Sequence, residues 1–238
     1  MKTILHLFFL YAWAHTQYDL AYPHWFYYPD TGIETAVGYV YDATNSAFAD
    51  GAMRYWGQKL VKVSGERKYY SWDMGHDFRD SIFLEPRLVK RDSLELIAVH
   101  KLDHDSLVLV GRKKAAVNGE IIKARNCPRP AWVTSLPKTP GFVYGLGTGK
   151  FRRGVHHRSW SLTDENAIVS CAKSVRMNYR NLLREKSLDK YSRTEHVASE
   201  KVQVTLKEAQ VVGRWLDVKA KTCFSLVRAR PVLSPEGK

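Results

Sequence analysis

Gly213-Arg214-Trp215-Leu216-Asp217-Val218-Lys219-Ala220-Lys221-Thr222-Cys223-Phe224-Ser225-Leu226-Val227-Arg228 reads as two strands around a polar turn. The run 202–216 enters the turn at Asp217-Val218-Lys219-Ala220, and 222–230 leaves it. Alternation in Cys223-Phe224-Ser225-Leu226-Val227 fits a half-buried strand, so the whole predicts an antiparallel hairpin. Upstream, Ile168, Cys171, Ala172, Val175, Tyr179 and Leu182 recur at three and four residues, which predicts a helix over 163–183. Asp164 and Glu165 are expected in its first turn, and Arg180, Arg184 and Lys186 near or after its end, as the helix dipole favours. Further upstream lies the glycine-rich strand Gly141-Phe142-Val143-Tyr144-Gly145-Leu146-Gly147, preceded by Pro130-Ala131-Trp132.

The same order occurs earlier in the chain. Pro23-His24-Trp25 precedes Ala36-Val37-Gly38, with 13 residues from Trp25 to Gly38 against 15 from Trp132 to Gly147. A helical pattern follows over 44–60, with Thr44, Asn45 or Ser46 as its cap. The runs 94–102 and 107–111 then flank the turn Asp103-His104-Asp105. These parallels predict two related units, 22–112 and 130–230, joined by a linker over 113–129 with one short strand at 120–123, and followed by a tail at 231–238. A helix stripe and a sheet face each need covering, and the simplest arrangement lays one on the other. The expected class is α+β, each unit an antiparallel sheet with one main packed helix.

Composition is compatible with a folded chain. Of 238 residues, 45% are hydrophobic and 26% charged, which excludes disordered, collagenous and low-complexity classes. No apolar run approaches the roughly 20 residues of a membrane span. Residues 1–14 place Lys2 before a short apolar core and end in Ala12-Trp13-Ala14, the pattern of a secretory signal. Export would permit disulfides, but Cys127, Cys171 and Cys223 are odd in number and read as buried free thiols. Cys171–Cys223 is the one intramolecular pair that merits testing.

The second unit resembles the Lpp-twenty family of bacterial envelope lipoproteins, and the first does so more weakly. The resemblance rests on Pro130-Ala131-Trp132, Tyr144-Gly145-Leu146-Gly147, the helix after them, and Trp215-Leu216-Asp217 before Cys223-Phe224-Ser225-Leu226-Val227. It implies a helix on an antiparallel sheet and an envelope location, and some relatives belong to rings around the flagellar motor. The lipidated Cys of the family is absent after the signal. A periplasmic or outer-membrane-associated protein, or a secreted one, is therefore expected.

No catalytic, cofactor or metal site is expected. The groups Asp73, His76, Asp77, Asp80 and His100, Asp103, His104, Asp105 contain suitable donors without a recognised ligand spacing. His156-His157 is flanked by Arg152, Arg153 and Arg158 and reads as a solvated basic loop. Gly145-Leu146-Gly147-Thr148-Gly149-Lys150 lacks the spacing of a phosphate loop. The structural anchors are Trp25, Trp132 and Trp215, with Gly145 and Gly147 permitting close packing. The net charge of +13 suggests an anionic partner met by Arg152, Arg153, Arg158, Arg176, Arg180 and Arg184. Nucleic acid is not the expected partner, because no RNA-binding signature accompanies the charge. The functional expectation is a non-enzymatic envelope protein that self-associates or docks to an envelope assembly. The alternative is a module that binds an anionic wall polymer or acidic partner.

Overall fold

A computed structural model of the chain describes residues 20–29, 35–41, 43–69, 76–84, 94–102, 104–112, 116–187 and 200–232. The elements in chain order are β1 Ala21–Pro23, α1 His24–Tyr27, β2 Thr35–Tyr41, α2 Thr44–Gly57, β3 Leu60–Tyr69, β4 His76–Leu84, β5 Glu95–Leu102, β6 Asp105–Gly111 and β7 Ile121–Lys123. Two single-turn 3-10 helices, Ala124–Asn126 and Ala131–Val133, lead to β8 Val143–Lys150, α3 His156–Ser187, β9 Glu200–Asp217 and β10 Thr222–Val232. The fold is α+β. Its strand pairs are antiparallel and form the sheets β1-β7, β2-β6-β5 and β4-β3-β9-β10-β8.

The apolar run Leu107-Val108-Leu109-Val110 forms the middle strand of the three-stranded sheet and is buried on both faces. Val108 and Val110 meet Ala47 and Tyr55 of α2, while Leu107 and Leu109 meet an aromatic cluster on the other side. That cluster contains Tyr22, Trp25, Phe26, Tyr27, Tyr39 and Trp160 and continues to Trp215, Leu216 and Cys223 of the hairpin β9–β10. One core therefore joins the two halves of the chain.

Both long helices approach their sheets over glycine. A side-chain carbon on Gly38 would strike the backbone of Ala47 and Gly51 in α2. On Gly145 it would strike Ala167 and Cys171, and on Gly147 Thr163 and Ala167, all in α3. Thr163, Ala167 and Cys171 recur every four residues, so they lie along one helix face. Beneath α3, Ala167, Cys171 and Ala172 pack with Val61, Leu206, Ala209, Val227 and Ala229.

The order β2-β6-β5 matches the order β8-β10-β9: the strand before the helix pairs with the second strand of the hairpin after it. The hairpin β3–β4 departs from this pattern. It follows α2 in the chain but pairs with β9, from Leu60↔Lys207 to Arg67↔Glu200. The sheet of the second half thus contains strands from the first.

Several local expectations are corrected. Helix α3 begins at His156 rather than 163, so His156-His157 opens a helix instead of forming a loop, and His156 is buried. The carboxylate of Asp105, in the hairpin β5–β6, accepts the backbone N–H of His157 at 2.8 Å and meets its Nδ1 at 2.9 Å. That cap comes from 52 residues away and extends the helix backward. Asp164 consequently lies in the third turn, not the first. Helix α2 starts after Ala43 without a side-chain cap, so none of Thr44, Asn45 and Ser46 fills the expected role. The 113–129 segment is more than a linker: β7 pairs with β1, and Ala124 and Cys127 are buried in the shared core.

Candidate functional site

A cleft of about 920 Å³ opens between β2 and α2 on one side and α3 and β9 on the other. At its floor lies a buried ionic centre. Asp164 of α3 and Arg214 of β9 are 2.9 Å apart, with side chains 5% and 2% exposed. The second carboxylate oxygen of Asp164 accepts from the Ser225 hydroxyl of β10 at 2.6 Å. Tyr39 of β2 donates its hydroxyl to the same oxygen as Arg214, at 2.7 Å. Arg214 also donates to the carbonyl of Phe26 in α1 at 3.1 Å, and its guanidinium lies 4.8 Å from the Phe26 ring.

Helix α2 supplies a second charged pair. Arg54 donates to Asp50 at 2.7 Å one turn away, and Asp50 accepts the N–H of Tyr39 at 2.8 Å. Arg54 reaches across the cleft to the Ser161 hydroxyl of α3 at 2.8 Å, and Ser161 donates to Glu165 at 3.1 Å. The Tyr39 ring carries the Arg54 and Arg214 guanidiniums at 4.9 and 5.5 Å. Burial holds the Tyr39 hydroxyl well above its ordinary pKa, with Arg214 opposing and Asp164 adding to the shift. Burial works against the Arg214 charge, but Asp164 and Tyr39 outweigh it and raise its pKa. Burial is likewise outweighed at Arg54, chiefly by Asp50.

This arrangement ties elements together. Asp164 accepts three hydrogen bonds from three different strands, which takes up most of a carboxylate's acceptor capacity. The cleft wall is charge-balanced: Arg54, Lys173 and Arg214 stand against Asp50, Asp164 and Glu165. Its apolar part includes Met53, which is 65% exposed, with Ile168 and Val169 of α3.

The residues singled out from sequence fall in several places. Trp25 is buried in the shared core. Trp215 is buried too, its indole donating to the Cys127 carbonyl at 3.1 Å, with Arg129 over its ring. Trp132 is half-buried and lies against Gly213. Gly145 and Gly147 face α3. Arg152, Arg153 and Arg158 are exposed before and within the first turn of α3. Arg176 stands about 27 Å further along the helix axis from Arg158, with Arg180 and Arg184 beyond it, so the six form two separated groups. Of the Asp/His groups, Asp73 and Asp103 lie outside the described residues, and Asp105 caps α3. His100 meets the Ala21 carbonyl at 3.2 Å, and His104 lies against Tyr41. Among the described residues no three or more His, Cys, Asp and Glu side chains gather as a metal site. The three cysteines are buried free thiols.

Sequence reasoning missed Tyr39, Ser225 and Trp160, and it gave Asp164 and Arg214 no part in a site. A signal was present for Arg214: it shares strand parity with the buried Leu216, which puts a cation on the inward face. Such a cation needs a partner, and Asp164 lies on the inward side of the helix that covers it.

No protein-family model matches the chain, and no curated protein and no solved structure is significantly similar to it. Among the described residues no helix is long and apolar enough to cross a membrane.

Proposed function

We propose that this chain is a non-enzymatic protein of the bacterial cell envelope, exported by its first fourteen residues and acting as a structural or adaptor component. The observation that carries the reading is the ionic centre. Asp164 spends its acceptors on Arg214, Tyr39 and Ser225, which suits a strut better than an acid–base group. The strut joins β2 and α1 to α3, β9 and β10, and Arg54–Ser161 joins α2 to α3. A cleft held open in this way, with Met53 exposed at its wall, suits the docking of an envelope component or a second copy. The shared strand order around α2 and α3, with glycine under both helices, supports descent from one duplicated unit. The motif resemblance to the Lpp-twenty family supports the envelope assignment.

The test is cell fractionation with intact-mass measurement, followed by light scattering of residues 15–238. Recovery from the envelope fraction with the first fourteen residues removed supports the reading. A full-length product confined to the cytosol overturns it. A defined oligomer at low and high salt would identify self-association as the mode of assembly. A monomer would direct attention to a different docking partner. A second reading, binding of an anionic polymer, is favoured by Lys62, Lys207, Arg228 and Arg230, which strand alternation puts on one face of the five-stranded sheet.

A further inference from the structure

The five-stranded sheet covers its inner face with α3; on its other face Trp132 lies against Gly213 and Phe142 against Arg228 and Arg230. Leu206, Val227 and Ala229 point into the α3 core, so their neighbours Lys207, Arg228 and Arg230 point outward. Val61 and Val63 point inward in the same way, which sends Lys62 outward. Strand register then aligns these cations. Lys207 of β9 stands opposite Leu60 of β3 and Arg230 of β10. Lys62 stands opposite Thr205, and Arg228 opposite Gln210 and Tyr144. Lys62, Lys207, Arg230 and Arg228 therefore run diagonally across three strands, with successive members about 5–8 Å apart.

The row is held in place. The Phe142 ring lies 4.6 Å from the Arg228 guanidinium and 4.4 Å from that of Arg230. These two residues are two apart on one strand, so a ring touching both sits between them and keeps them separate. Arg230 also pairs with Glu208 at 2.8 Å, where both side chains are more than half exposed, and such a pair contributes little. Lys207 and Arg230 are exposed, while Lys62 and Arg228 are half-buried.

We propose that this face docks a linear anionic polysaccharide of the cell surface, its spaced charges met by Lys62, Lys207, Arg230 and Arg228. Charge complementarity carries the assignment: a line of cations on a chain of net charge +13 matches a linear polyanion better than a point ligand. Phe142 is engaged by two guanidiniums and Tyr144 is tied to Thr139 at 3.0 Å, so neither is an open stacking platform for a nucleic-acid base. Among the residues whose side chains are described, the exposed large apolar ones, Tyr41, Met53, Leu96, Val99, Ile121 and Leu162, lie elsewhere, so none of these stands beside the row for insertion into a lipid surface. The inference rests on the anionic-partner reading and on export, since a cell-surface polymer is met only outside the cytoplasm, and it is independent of self-association.

The test measures binding of the full chain to polygalacturonate by calorimetry, at about 50 and about 200 mM salt, since screening weakens contacts made by charge alone. Oligo-dT and phosphatidylglycerol vesicles serve as the competing arms. Polygalacturonate is expected to bind more tightly than either, and to weaken as salt rises. The double variant Lys207→Gln/Arg230→Gln is expected to bind about tenfold more weakly, or about 1.4 kcal/mol, with an unchanged melting midpoint. Lys101→Gln/Lys219→Gln, which removes two exposed charges away from the row, is expected to bind as the parent does. Undiminished affinity in the first variant, tighter binding of oligo-dT or vesicles, or no binding at low salt would each overturn the proposal. None of these outcomes bears on where the protein resides.

Discussion

At the scale of single residues, Asp164 and Arg214 decide most. Both charges are buried, so removing one strands the other. Arg214→Ala should destabilise the protein by about 3–5 kcal/mol, read as a shift of the urea midpoint. Arg214→Met combined with Asp164→Leu should recover part of that loss: no buried charge stays unpaired, although the Tyr39 and Ser225 hydroxyls lose their acceptor. A double variant no more stable than Arg214→Ala would show that the centre is held by something other than the pair. His100 provides a test by pH. Burial lowers its pKa below the ordinary 6.5, against the hydrogen bond to the Ala21 carbonyl. The unfolded chain therefore takes up the proton first as the solution is acidified. This residue leaves stability unaffected above pH 6.5 and subtracts from it as pH falls from 6.5 toward the folded pKa. The loss in melting midpoint between neutral and mildly acidic buffer should be smaller in His100→Gln.

At the scale of elements, α2 and α3 are seated by glycine, and α3 is started by a distant partner. Gly147→Ala places a methyl against the Thr163 carbonyl and the Ala167 side chain, and should cost about 1–3 kcal/mol. Gly119→Ala, where nothing lies within 4 Å, is the matched control and should unfold at the parental midpoint. Asp105→Ala removes the only carboxylate seen on the first N–H groups of α3 among the described residues, and should cost about 0.5–2 kcal/mol. Ser46→Ala should be close to neutral, because α2 has no side-chain cap. Equal losses from the two substitutions would contradict this account of how the helices start. The helix stripes and hairpins were legible because periodicity is a local property. The start of α2 at Thr44 was legible as well, but that of α3 was not: a cap from another hairpin leaves no trace in the flanking residues, so 156–162 read as loop.

At the scale of the whole molecule, the shared core makes the two halves one cooperative body. Cys171 and Cys223 report on it. Burial pushes the Cys171 thiol up to about 12, and burial together with Asp164 pushes Cys223 higher than its ordinary value. Both should resist a thiol reagent in the folded state and react at the rate of global unfolding. Fast labelling in native buffer would show that the halves open separately. The chain's own residues determined the α+β class, the glycine-seated helices, both hairpins and the cationic balance, because each follows from spacing between near neighbours or from a simple count. Tertiary structure alone decided that β3–β4 crosses to β9, that Asp164 meets Arg214 and Tyr39, and that four cations align on one sheet face. These are pairings between residues far apart in the chain. Many strand partners satisfy the same local pattern, and the choice falls to whichever buries the aromatic core and leaves no inward charge unpaired.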